Sequence, residues 1–125
     1  MFTDELKFNG QGLIPAVVCD HGSGEVLMVA WMNEDAVKQT VETRKATYWS
    51  RSRQKSWVKG ETSGNVQKVH WIRTDCDADV LMLGVEQTSG ACHEGYRSCF
   101  YRELRDGQWE IIQEKVFDPD EVYGS

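Results

Sequence analysis

The sequence predicts a mainly β fold, α+β in content, with one short helix, and three observations carry that expectation. Runs rich in β-branched and aromatic residues recur along the chain, turn residues separate them, and only one stretch is convincingly helical. Because regular helical crossovers do not separate the strands, antiparallel or mixed pairing is expected in preference to a doubly wound parallel sheet. Leu13 to Cys19 and Val26 to Trp31 are the first two strands, joined through His21-Gly-Ser-Gly as a hairpin turn. Asn33 caps a helix from Glu34 to about Thr43, with acids in its first turn and Ala36, Val37, Thr40 and Val41 as its inward stripe. Thr47 to Ser50, Val66 to Thr74, Val80 to Glu86 and Cys99 to Leu104 follow as strands, and Asp106-Gly107 turns the chain into Trp109 to Ile112.

At 125 residues the chain is expected to form one domain, residues 1–125, small enough that oligomerisation would help it bury surface. No apolar run reaches the length of a membrane span, and no repeat or low-complexity tract divides the chain, so no membrane partner is expected. The start, Met1-Phe-Thr-Asp-Glu-Leu-Lys, has no basic region followed by an apolar one, which points to a cytoplasmic protein with reduced thiols. A formal charge of −6 argues against nucleic acid as a partner, since nonspecific binding needs a broad cationic surface. Any phosphate contact must be local.

The chemistry concentrates in Asp75-Cys76-Asp77-Ala78-Asp79 and in two later cysteines, Cys92 and Cys99. An extended stretch would line three carboxylates on one face and turn Cys76 to the other, so that one segment could serve two metals. Carboxylates suit a hard ion such as magnesium, and thiolates suit zinc. Three thiolates with an open position is the arrangement of a hydrolytic zinc. The spacing imitates an EF-hand loop, but Val80 stands where that loop needs glycine and Val80 to Val85 reads as a strand. Structural zinc and buried free thiols remain open as alternatives, although no C-x-x-C knuckle occurs.

Ser50 to Asn65 places Arg51, Arg53, Lys55 and Lys59 among hydroxyls and glycines in an otherwise acidic chain. Such a loop could hold a phosphorylated small molecule, against the simpler reading of a solvated basic loop. Thr88 to Cys99 is a polar loop in which His93 adjoins Cys92; an imidazole beside a metal-activated water suits proton transfer, with Glu94 the weaker choice. A surface histidine is the bland alternative. Cys19 reads as a buried small hydrophobe, and the tryptophans at 31, 49, 57, 71 and 109 read mostly as core, with Trp57 able to touch a base.

Six blocks together resemble the phosphoribosyl-AMP cyclohydrolase family of histidine biosynthesis: Leu13-Ile-Pro-Ala-Val-Val, Ala30-Trp-Met-Asn, Tyr48-Trp-Ser-Arg-Ser-Arg, Trp57-Val-Lys-Gly-Glu-Thr-Ser-Gly-Asn, Asp75-Cys-Asp-Ala-Asp and Cys92-His-Glu-Gly-Tyr-Arg-Ser-Cys-Phe-Tyr-Arg. They span about Leu13 to Leu104 in the family's order. Ser56 and Asn65 depart from common family residues without touching the metal pattern.

The resemblance implies a β-rich pseudobarrel with a helix, assembled as an intertwined homodimer and, for a chain of this length, in the monofunctional form. It implies zinc held by Cys76 from one subunit with Cys92 and Cys99 from the other, and magnesium held by Asp75, Asp77 and Asp79. The implied reaction is hydrolytic opening of the N1–C6 bond of 1-(5-phosphoribosyl)-AMP, giving the formimino-aminoimidazole carboxamide ribonucleotide, with zinc activating the water that attacks C6. His93 is the expected proton carrier, and Arg51, Arg53 and Lys59 are expected to neutralise phosphates and position the purine. The chemistry parallels zinc nucleobase deaminases, whose P-C-x-x-C signature is absent here. A noncatalytic zinc-stabilised module binding a nucleotide or RNA through Ser50 to Asn65 is the competing expectation.

Overall fold

Alternation in the first strand sets which way the sheet faces: Ile14, Ala16 and Val18 are fully buried while Pro15 and Val17 are only half-buried between them. The computed structural model describes residues 1–123. A 3₁₀ turn at Phe2–Glu5 precedes β1 (Leu13–Asp20), β2 (Val26–Asn33), α1 (Glu34–Thr43), β3 (Thr47–Ser50), β4 (Lys55–Val58), β5 (Gln67–Thr74), β6 (Leu81–Gln87), β7 (Arg102–Arg105), β8 (Gln108–Ile111) and α2 (Pro119–Val122). Six strands form one curled sheet in the order β4-β3-β2-β1-β6-β5, and among the described residues β7 pairs only with β8. The β1–β6 pairing is parallel and its neighbours are antiparallel, so the sheet is mixed, as expected.

The helix forms where the sequence places it. Asn33 Oδ1 accepts the Ala36 amide at 2.8 Å, and the chain leaves the helix at Arg44, whose φ of 64° is left-handed. Ala36, Val37 and Thr40 face the core, whereas Val41 is only half-buried. Inside, Thr40 Oγ1 donates to the Ala36 carbonyl at 2.8 Å and accepts the Thr47 amide at 3.0 Å, tying α1 to β3.

The buried cluster of Leu27, Met32, Tyr48, Leu83 and Val85 encloses one polar chain. Tyr48 Oη donates to Gln67 Oε1; Gln67 Nε2 donates to Gln87 Oε1 at 2.8 Å; and Gln87 Nε2 reaches the Asn65 and Thr88 carbonyls at 3.1 and 2.9 Å. Burial pushes the Tyr48 phenol well above its ordinary value, so it stays a donor. A buried network satisfied in this way fixes the start of the Thr88 to Cys99 loop from beneath.

Three expectations need correction. Ser50 to Asn65 is not all loop: Lys55–Val58 pairs with β3, Tyr48 opposite Trp57, a cross-strand aromatic contact that outweighs the polar composition. The strand expected at Cys99 begins at Arg102, because Cys99 donates its amide to the Leu27 carbonyl outside any ladder. No tryptophan is fully buried: those at 31, 49, 57 and 71 are half-buried, with Trp57 alone among them packed against the core cluster, and Trp109 is 67% exposed.

Candidate metal and nucleotide site

Asp75 to Asp79 is the turn joining β5 to β6, not an extended segment. The Asp75 amide donates to the Val80 carbonyl at 3.2 Å, the Ala78 amide to the Asp75 carbonyl at 3.1 Å and the Asp79 amide to Asp75 Oδ1 at 3.1 Å, with Ala78 at φ 58°. The opposite-face reading is therefore replaced by a tight turn, yet the carboxylates still converge: donor oxygens of Asp75, Asp77 and Asp79 lie within 4.8 Å of one another. Desolvation works to raise the Asp75 carboxyl, but the Asp79 amide and side chain, with the Val80 and Ala78 amides, hold it below the ordinary range. Asp79 moves the other way, through its hydrogen bond to Asp75, desolvation and the charges of Asp75 and Asp77. Three crowded oxygen donors of one sign fit a hard divalent cation.

Cys92 and Cys99 lie on the loop after β6. Within it the Gly95 amide donates to the Cys92 carbonyl at 3.0 Å, and the Cys92 amide to the Tyr96 carbonyl at 3.1 Å. Gly95 has φ 101°, and a Cβ there would sit 2.6 Å from the Phe117 carbonyl, so only glycine closes this turn. Long-range contacts hold the loop: Ser98 Oγ donates to the Val26 carbonyl at 2.7 Å, and Arg97 pairs with Asp20 and Glu25, each at 3.0 Å. Lys59 is buried, its Nζ donating to the Ala91 carbonyl at 2.7 Å.

The thiols of Cys92 and Cys99 are close enough to interact. Desolvation, then the charge and hydrogen bond of Cys92, push the Cys99 thiol up to about 11, with Lys59 pulling the other way, although Cys99 as a residue keeps solvent access. Cys76 is exposed on the aspartate turn, and among the described residues the three sulfurs form no cluster within ligand distance of one another. A soft thiol pair fits zinc but supplies only two of the expected three donors. His93 projects into solvent beside Cys92, with Nε2 3.4 Å from Glu94 Oε1.

Arg51 and Arg53 border an open groove of about 950 Å³ that is also lined by Trp31, Trp49, Trp57 and Asn33. Trp31 and Trp49 are cross-strand partners, and the Arg51 guanidinium stands 4.8 Å from the Trp31 ring centroid. The Lys59 ammonium, by contrast, donates to the Ala91 carbonyl. The aromatic lining escaped sequence reasoning because Trp31 and Trp49 sit on strand patterns that equally suit a core; their pairing across β2 and β3 is a tertiary fact.

A family model described as Phosphoribosyl-AMP cyclohydrolase matches residues 28–101. The chain is similar to curated phosphoribosyl-AMP cyclohydrolases of Chlorobaculum parvum (58% identical over 124 residues, 98% of this chain and 90% of that one), Chlorobaculum tepidum (57%, same coverage) and Azotobacter vinelandii (54% over 121 residues, 96% and 91%).

Proposed function

The chain belongs to the phosphoribosyl-AMP cyclohydrolase family, hydrolases of histidine biosynthesis, and from that premise we propose a two-metal, two-subunit site for opening the adenine ring. One observation carries this reading: Cys92 and Cys99 share one loop, with thiols close enough to interact, while Cys76 is exposed on a different turn. The zinc site is then completed by Cys76 of a second copy, and magnesium belongs to Asp75, Asp77 and Asp79. The β7–β8 hairpin supports assembly, because among the described residues it pairs with no other strand and leaves Leu104, Trp109 and Ile111 more than half exposed.

When bound, zinc would supply the Lewis acidity that makes a water acidic near neutral pH. The chain's own groups do the rest. The groove receives the purine against Trp31, Trp49 or Trp57, while Arg51 and Arg53 offer planar forks to phosphate oxygens. The exposed carboxylate turn suits a magnesium ion that meets phosphate from solvent. His93 takes a proton as water oxygen bonds to C6, and returns one to N1 as the N1–C6 bond breaks. Lys59 acts as a positioning residue, fixing the Ala91 carbonyl beside the thiols instead of holding phosphate.

The test is turnover of phosphoribosyl-AMP by metal-stripped protein, followed through the ultraviolet change on ring opening, with zinc and magnesium restored singly and together. Activity that requires zinc and rises with magnesium is the expected result. Folded, zinc-loaded protein with no turnover would sink the reading and return the noncatalytic binding module to first place.

A further inference from the structure

A second group of metal-ligating side chains lies outside the cysteine and aspartate clusters. His21 from the β1–β2 turn, His70 from β5 and Glu86 from β6 bring ligand atoms within 4.8 Å of one another. The two imidazoles stack with centroids 3.8 Å apart and planes 3° from parallel, and His70 Nε2 lies 3.3 Å from Glu86 Oε1.

The backbone holds these residues in place. Val69 pairs with Val85 and Trp71 with Gly84, so His70 is the extra residue of a β-bulge, a feature that re-aims a side chain out of the ladder. The Trp71 indole occupies the space above Gly84, where an added Cβ would come within 2.1 Å of the ring. From that seat its Nε1 donates to the His21 carbonyl at 3.4 Å, while the His21 amide donates to the Val85 carbonyl at 2.9 Å. The His21 main chain is thus tied to both β5 and β6. Glu86 is not consumed by a cation either: among the described residues its ion-pair partner is His70.

We propose that His21, His70 and Glu86 form a second metal site on this sheet, taking a borderline divalent ion such as zinc, cobalt or nickel. Two imidazole nitrogens and one carboxylate favour these ions over magnesium or calcium, and three protein donors leave positions for water. The parallel rings hold their donor atoms side by side, so capture of an ion needs only rotation of solvent-accessible side chains on a fixed backbone. The site is independent of the ring-opening reaction, because none of its residues belongs to the machinery assigned above.

Equilibrium dialysis of the full chain against zinc, with excess magnesium to occupy the aspartates, tests the proposal. The wild type should retain one zinc per chain more than H21A/H70A, and E86Q should weaken that extra ion by at least about tenfold. Zinc should also shift the ring-proton resonances of both histidines, and H21A/H70A should keep the wild-type turnover. Equal zinc content in wild type and H21A/H70A, or histidine resonances that stay in place as zinc is added, would overturn it. Thermal melts of each variant in chelator identify any loss due to misfolding, and in that case the resonance shifts in the wild type decide the matter.

Discussion

The aspartate turn and the cysteine loop both carry side chains able to bind a metal, but they are built by opposite means. Asp75 to Asp79 is organised by hydrogen bonds among its own residues and Val80, a hairpin turn that brings its donors together over five positions. The loop from Ala91 to Cys99 is placed by contacts far away in sequence: Lys59 on Ala91, Arg97 on Asp20 and Glu25, Ser98 on Val26, and Cys99 on Leu27. A locally built cluster converges wherever its turn forms, whereas a loop held from outside carries its sulfurs only as accurately as the sheet carries the loop.

Cys99→Ser puts the sharpest strain on that contrast. It should remove the zinc held by the cysteines and lower turnover by about a thousandfold or more, while Asp77→Asn should leave that zinc in place and weaken magnesium instead. Metal analysis beside steady-state rates checks both, and zinc loss in Asp77→Asn would show that the two clusters are not separate. Lys59→Met comes next: it leaves the buried Ala91 carbonyl without its donor and should cost about 1–3 kcal/mol in denaturant unfolding, with easier zinc loss to a chelator. Magnesium affinity should not change.

Acid should separate the regions too. The Ser23 amide, against an opposing desolvation, then the Ser23 side chain, the Gly22 amide and Arg97, hold the Asp20 carboxyl below its ordinary 3.8. A group depressed in the folded state contributes its stability above the unfolded value and loses it as pH falls through the folded one. Asp20→Asn should therefore lower the denaturation midpoint at neutral pH and flatten its decline on acidification. A parallel shift at all pH values would contradict the role of this carboxylate. The smallest effect belongs to Ala78→Gly, which relieves a left-handed φ of 58° at some entropic cost and should alter stability by no more than about 0.5 kcal/mol. A large loss there would mean that the aspartate turn depends on more than its own geometry.

Much of this was legible in the residues. Asn33 followed by two acids and an apolar stripe marks α1 at the positions where it forms, because capping and periodicity are local. The β1–β2 hairpin around His21-Gly-Ser-Gly is legible for the same reason. By contrast, β4 carries little strand signal of its own and exists because Trp57 meets Tyr48 across the ladder. Lys59 reads as one more cation of a basic loop until Ala91, distant in sequence, arrives above it. His21 and His70 look unrelated in the sequence, being 49 positions apart, and become neighbours only through the curled sheet.

The sequence by itself determined the strand-rich class, the helix and its cap, and where carboxylates and thiols concentrate along the chain, since side-chain type, turn chemistry and short-range spacing are properties of the chain alone. Only the tertiary structure decided that β1 lies parallel to β6, that the thiols of Cys92 and Cys99 interact while Cys76 is exposed on another turn, and that Trp31, Trp49 and Trp57 line a groove. Those relations depend on which distant surfaces bury against each other, a choice made by the whole sheet and not by any segment within it.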